Sequence, residues 1–154
     1  FFNRVNLKKE NIYFLNGKGI DLKKECLDHE LKIRKAGGID LQILGVGRNG
    51  HIGFNEPGSS VKSKTRVVYL SNMTRRDNGG APRKAITLGI STIMKAKKII
   101  VLATGKKKAE ILFRAVSEKI GKDFPASFLR LHKDVIFILD KSAASKLGKI
   151  HKKI

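Results

Sequence analysis

Two hydrophobic periods divide this chain. From Lys98 to Ala103 the sequence runs Lys-Ile-Ile-Val-Leu-Ala, five apolar residues in a row, which predicts a buried strand. Shorter apolar or alternating runs predict strands over 11–15, 39–44, 63–70 and 135–139, and 39–44 is expected to be the central one. Asn16-Gly17-Lys18-Gly19 reads as the turn after the first. A helical stripe of Leu22, Cys26, Leu27, Leu31 and Ile33 predicts a helix over 22–35, capped by Asp21 and stopped at Gly37-Gly38. Ala85, Leu88, Ile90 and Ile93 predict a short helix within 83–94. A longer helix is expected over 106–120, with Ala109, Leu112, Phe113 and Val116 inward, and a short one from Ser142 into a basic tail over 149–153. The polar stretch 74–82 reads as a loop. Strands alternating with helices indicate an α/β chain with a mixed or parallel sheet and helices on both faces.

One stretch breaks both periods. After Leu41, Ile43 and Leu44 the chain enters a loop with glycines at 45, 47, 50 and 53, which also holds Asn49, His51, Asn55 and Glu56. Glycines allow tight turns and a close approach of ligand to backbone. Histidine exchanges a proton near neutrality, and a carboxylate nearby can fix its tautomer. Pro57 restricts the backbone of Glu56. An open α/β sheet carries its chemistry outside the carboxyl ends of its strands, which is where this loop falls; from spacing alone, a loop whose glycines only serve a turn, with His51 and Glu56 solvated, fits as well. The glycine spacing is not the dinucleotide fingerprint G-x-G-x-x-G followed by a helix, so a nucleotide cofactor is not indicated.

Composition narrows the classes. The 154 residues fit one domain, and 41% hydrophobic residues suffice for a core. One cysteine, Cys26, allows no intrachain disulfide, and a reducing cytoplasm is the expected setting. Cys26 itself reads as a small core residue. No apolar run approaches the ~20 residues of a membrane span. Against 13 acidic residues stand 33 Lys and Arg, a formal charge of +20. The basic residues are scattered, and the 6% aromatics do not interleave with them as a base-stacking platform would. The charge therefore reads as Lys-rich solvated faces, which would still attract anionic sugar phosphates and, nonspecifically, polyanions, with no specific nucleic acid indicated. His29, His132 and His151 have no partners at metal-ligand spacing, and His132 reads as structural. Ser59 and Ser60 lack the setting of an activated nucleophile.

The run Gly45-Val-Gly-Arg-Asn-Gly-His-Ile-Gly-Phe-Asn-Glu-Pro-Gly-Ser-Ser60 closely resembles the signature of the glucosamine-6-phosphate deaminase family. Asn11 to Gly17, Lys84 to Ile93 and Pro125 to His132 are similar to other segments of that family. Related sugar-phosphate lactonases share the Gly-His but not the Phe-Asn-Glu-Pro that follows. The resemblance implies the Rossmann-like architecture of the deaminases and ribose-phosphate isomerases. It implies conversion of glucosamine 6-phosphate to fructose 6-phosphate and ammonia, with no cofactor and no metal. On this reading His51 opens the sugar ring, Glu56 holds and polarises it, and Asn49 orients it where some members carry Asp. Gly45, Gly50 and Lys108 bind substrate, Lys108 through the phosphate at the start of the helix expected from 106. Ser59, Ser60 and Arg66 fall where some members bind an allosteric amino-sugar phosphate, although Val68 stands where those members carry a basic residue.

The resemblance also implies differences. The family's first β-α units, with a phosphate loop and the proton-abstracting aspartate, match nothing from Phe1 onward, so the chain is expected to be amino-terminally truncated. After Asn78 the family continues with a phosphate-contacting arginine and paired phenylalanines, where this chain has Gly79-Gly80-Ala81-Pro82. Arg75, Arg76 and Arg83 are the available substitutes. The expected partner is a small amino-sugar phosphate, with homo-oligomer formation left open and no membrane. The alternative class is a noncatalytic basic remnant that binds anions or a partner chain.

Overall fold

The computed structural model describes residues 2–148. Phe1, His151 and the expected basic tail over 149–153 lie outside the described residues. Helix α1, Leu22–Lys35, forms as the stripe predicts. The Asp21 carboxylate accepts from the backbone N–H of Lys23 and Lys24 at 3.0 and 2.9 Å, satisfying two orphan donors of the first turn. Gly37, at φ +85°, turns the chain out of the helix. Of the stripe, Cys26 is buried, while Leu27 and Leu31 stay exposed.

Strands β1 (Leu41–Leu44), β4 (Lys98–Ala103) and β5 (Val135–Leu139) form a parallel sheet in the order β1-β4-β5. The central position belongs to β4, not to the 39–44 run, because the uninterrupted apolar strand is the one suited to pairing on both edges. Ile99, Val101 and Ala103 point to the packed face. There they meet α4 (Ala109–Ser117) and a 3-10 helix, Pro125–Leu131, whose Ala126 and Leu129 are fully buried. In α4 the inward residues are Ala109, Ile111, Leu112 and Ala115, with Phe113 and Val116 half-buried. On the opposite face the register aligns Ile43, Ile100 and Ile136 in one row and Leu102 with Ile138 in the next. Among these, Ile43, Leu102, Ile136 and Ile138 remain 56, 46, 43 and 52% exposed.

Beside this sheet β2 (Arg66–Tyr69) and β3 (Lys84–Thr87) pair antiparallel. The helix expected within 83–94 is therefore a strand followed by one short turn, α3 (Ile90–Ile93). Gly89 divides them, since a Cβ there would lie 2.2 Å from the Ser63 carbonyl oxygen, and its backbone is extended. Part of the loop expected over 74–82 is helix α2 (Asn72–Asp77), capped by the Ser71 hydroxyl on the Thr74 N–H. Residues 11–15 do not form a strand. A 3-10 turn, Lys9–Asn11, takes in the first of them, and no neighbouring strand among the described residues offers a ladder. Tyr13 and Phe14 lie exposed, and Phe14 packs edge-on against Phe2. The segment 106–120 opens as a 3-10 turn, Lys106–Lys108, before α4, and from Ser142 the chain forms turns rather than a helix. Asp140 dictates those turns, accepting from the N–H of Ala143 and of Gly105.

Candidate active site

The loop over 45–60 leaves β1 at its carboxyl end and folds on itself through bridges Val46–Ile52 and Ile52–Asn55. Ile52 and Asn55 are fully buried. The Asn55 amide donates to the carbonyls of Ile52 and Leu88 at 2.9 and 2.8 Å, and its oxygen accepts from Arg66 at 2.7 Å. Every polar arm of that side chain is used, as its burial demands. The Gly50 carbonyl accepts from the Ala126 N–H at 2.8 Å. A Cβ on Gly50, at φ +82°, would strike the Phe124 ring at 2.5 Å. The 121–126 segment thus backs the loop from below.

His51, Asn49 and Glu56 come together, but not as a direct His–Glu pair. Asn49 stands between them. Its oxygen lies 2.7 Å from His51 Nδ1 and also accepts from the His51 N–H at 3.2 Å, while its amide nitrogen donates to Glu56 Oε2. Because an amide oxygen only accepts, this places the imidazole proton on Nδ1 and leaves Nε2 as the basic nitrogen. Nε2 has no hydrogen-bond partner among the described residues. The ring lies flat on Gly47, where a Cβ would be 2.0 Å from its Cε1, so glycine is required at 47. Burial lowers the His51 pKa below 6.5 and Lys108 lowers it further, against the opposing pull of Glu56 and Asp77. Burial pushes Glu56 up, yet hydrogen bonds from Thr74, the Ser71 N–H and Asn49 outweigh it and hold the carboxyl below its ordinary range.

His51 lines a hollow of about 290 Å³ with Gly45, Gly47, Arg48, Asp77 and Lys108. Lys108 reaches in from the turn after β4 and donates to the Val46 carbonyl at 2.6 Å. Gly45 has open space over its Cα, whereas Gly50 serves packing against Phe124. Arg75, Arg76 and Arg83 do not line the hollow: Arg75 donates to the Ala81 carbonyl and Arg83 sits over the Tyr69 ring. Arg48 lines it instead, paired with Asp77. Ser59 and Arg66 meet at 3.0 Å, with the guanidinium turned into the fold toward Asn55. Ser60 is apart from them and accepts from the Lys62 N–H. His132 is structural, its Nε2 2.8 Å from the Ala96 carbonyl oxygen.

Sequence reasoning missed Ser71, Thr74, Arg48 and Asp77. Thr74 Oγ1 lies 3.3 Å from His51 Nδ1 and accepts from the Ser71 hydroxyl, and Ser71 donates its N–H to Glu56 at 3.1 Å. The signal available was Ser71 as a helix cap three residues before Thr74.

The sequence profile described as glucosamine-6-phosphate isomerases/6-phosphogluconolactonase matches residues 1–137. A glucosamine-6-phosphate deaminase of Thermoanaerobacter sp. (strain X514) is 52% identical over 152 residues, covering 94% of this chain and 60% of the relative. One of Clostridium novyi (strain NT) is 52% identical over 153 residues, covering 95% and 64%. The chain therefore spans about three fifths of the length of these relatives. The solved structure of a monomeric glucosamine-6-phosphate deaminase, 44% identical, superposes with a TM-score of 0.91 over 95% of this chain and 64% of its own. A 6-phosphogluconolactonase from Trypanosoma brucei, 26% identical, gives 0.66 over 82% and 54%.

Proposed function

This chain belongs to the glucosamine-6-phosphate isomerase/6-phosphogluconolactonase family, and on that premise we propose that its hollow is the ring-opening part of a glucosamine-6-phosphate deaminase site. The observation that carries the reading is the His51–Asn49–Glu56 chain, with a bare Nε2 on an imidazole that lines the hollow beside Lys108. Identity near 50% to deaminases, against 26% to the lactonase, supports the amino sugar as substrate.

Nε2 takes the proton of the anomeric hydroxyl and returns it to the ring oxygen as the C1–O5 bond breaks. No net charge or electron is transferred. Asn49 keeps Nδ1 protonated throughout, and Glu56, ionised, orders Asn49. Lys108 supplies positive charge for the sugar phosphate. A positioned acid–base contributes about 10²–10⁴-fold. Deamination needs in addition a base for the proton on the amine-bearing carbon. Of the carboxylates near His51 among the described residues, Glu56 is spent on Asn49 and Ser71, and Asp77 lies exposed at the end of α2 with no hydrogen bond to His51, Asn49 or Glu56. The 154-residue polypeptide is therefore expected to open the ring without releasing ammonia.

The test follows anomer exchange of glucosamine 6-phosphate by NMR saturation transfer, with ammonia assayed in the same samples and His51→Ala as the blank. Exchange faster than the blank, with ammonia at the blank's level, is the expected pattern. Exchange no faster than the blank would overturn the reading and favour a noncatalytic anion-binding module.

A further inference from the structure

Arg48 leaves the glycine loop and meets Asp77, the last residue of α2, through two parallel hydrogen bonds of 2.7 Å, Nε to Oδ2 and Nη2 to Oδ1. Both residues line the hollow that holds His51 and Lys108. Neither side chain has another hydrogen-bond partner among the described residues. The side-chain hydrogen bonds of the pair are therefore those between its two members, and a ligand that replaces one member breaks no other side-chain hydrogen bond among the described residues. The Arg48 guanidinium holds the Asp77 carboxyl below its ordinary range and the charge of Lys108 adds to this, so the carboxylate sits in the positive field of Arg48 and Lys108. The fork of an arginine presents the same geometry to a carboxylate and to a phosphate.

We propose that Asp77 is an internal stand-in for the substrate's phosphate: its carboxylate holds the anion position between Arg48 and Lys108, and a sugar phosphate binds by displacing it from Arg48. The proposal rests on the reading of the hollow as a sugar-phosphate site and adds to it a second phosphate ligand and a built-in competitor. With Asp77 engaged, the hollow carries the charges of Arg48 and Lys108 less one. With Asp77 swung out, a phosphate dianion meets both cations. Asp77 is exposed at the end of a six-residue helix, followed by Gly79 and Gly80 at positive φ with open space around them, so its side chain can turn to solvent. The same pair gives selectivity, since a neutral sugar cannot displace Asp77 and a singly charged anion gains less from doing so than a phosphate.

The test is a set of binding titrations of the 154-residue chain with inorganic phosphate, and separately with glucosamine 6-phosphate, at low ionic strength. Asp77→Asn keeps the shape and removes the competing charge. It should bind inorganic phosphate about fivefold more tightly than the unmodified chain, the scale of one exposed ion pair. Arg48→Gln should weaken binding by a similar factor. The double variant should lose the gain of Asp77→Asn, which separates displacement from a general change in net charge. Unfolding midpoints for each variant establish that the fold is intact, and Asp77→Ser provides the same test if the Asn variant is unstable. Phosphate affinity that Asp77→Asn leaves unchanged or weakens would overturn the proposal, as would equal gains with and without Arg48. Tighter phosphate binding by Asp77→Asn, with no anomer exchange in the unmodified chain, would leave the stand-in intact and reject ring opening.

Discussion

His51 shows how much one side chain's chemistry depends on the atoms around it. The imidazole could have carried its mobile proton on either nitrogen, and the oxygen of Asn49 at 2.7 Å decides for Nδ1. The sequence displayed all three residues of this chain, but their spacing could not say that Asn49 would be the bridge. That order depends on the turn at Gly47-Arg48-Asn49-Gly50, closed by the Gly50 N–H on the Gly47 carbonyl at 2.9 Å. The charges around the ring predict opposite responses to two substitutions. Lys108 lowers the His51 pKa, so Lys108→Met should raise it; Glu56 raises it, so Glu56→Gln should lower it further below 6.5. A proton NMR titration of the His51 Cε1–H reads both, and shifts of the same sign would contradict the assigned environment. Gly47→Ala is expected to be costlier to function than to folding, because its methyl would occupy the ring's place. Anomer exchange should fall to the level of His51→Ala.

Among the elements, α1 is fastened to the rest by a carboxylate rather than by an apolar stripe. Glu30 Oε1 accepts from the Thr65 N–H at 2.8 Å, and from the hydroxyls of Thr65 and Thr92 at 2.5 Å each. It thereby joins α1 to the residue before β2 and to α3. Glu30→Ala would leave these donors without an acceptor at two buried threonines, at a cost of about 2–4 kcal/mol. Denaturant unfolding measures it, and a loss below about 0.5 kcal/mol, the scale of a surface change, would contradict the role. Burial raises the Glu30 pKa, but the threonine hydrogen bonds prevail and lower it below 4.5. A carboxylate depressed on folding stabilises above its unfolded value and loses that contribution as the pH falls through the folded one. The stability gap between the native chain and Glu30→Ala should therefore be full above pH 4.5 and narrow as the pH falls through the lowered folded-state value.

The elements most legible in the sequence were those with strong local signals: the five-residue apolar run of β4, the Asp21 cap and the Gly37-Gly38 stop of α1. The misread ones depended on contacts distant in sequence. Lys84 to Thr87 forms a strand because β2 lies beside it, and residues 11–15 form none because no strand among the described residues does. Pro125 to Leu131 gave no period, being a 3-10 helix buried along most of its length.

At the scale of the whole molecule, the sheet has unequal faces. One is packed against α4 and the Pro125–Leu131 turn. The other presents Ile43, Leu102, Ile136 and Ile138 at 43 to 56% exposure, a contiguous apolar row of the kind that binds partners or self-associates. The formal charge of +20 opposes association through long-range repulsion, which salt screens within about 8–10 Å near physiological strength. Self-association and binding of a hydrophobic dye should therefore increase with salt. Ile138→Lys, at a half-exposed position of β5, should reduce both while leaving the unfolding midpoint nearly unchanged. Association that falls with salt, or that Ile138→Lys does not affect, would point to another surface.

The proposed ring opening requires His51 to be neutral, protonated on Nδ1 and bare on Nε2, with the sugar phosphate brought to Nε2. A long-range proton–nitrogen correlation spectrum of His51 at about pH 7, above the ordinary imidazole value, with and without glucosamine 6-phosphate, observes both nitrogens directly. The expected spectrum shows a neutral ring with its proton on Nδ1, and the sugar phosphate shifts Nε2 far more than Nδ1. A proton on Nε2 in the free protein, or an Nε2 signal that saturating sugar phosphate does not move, would contradict it.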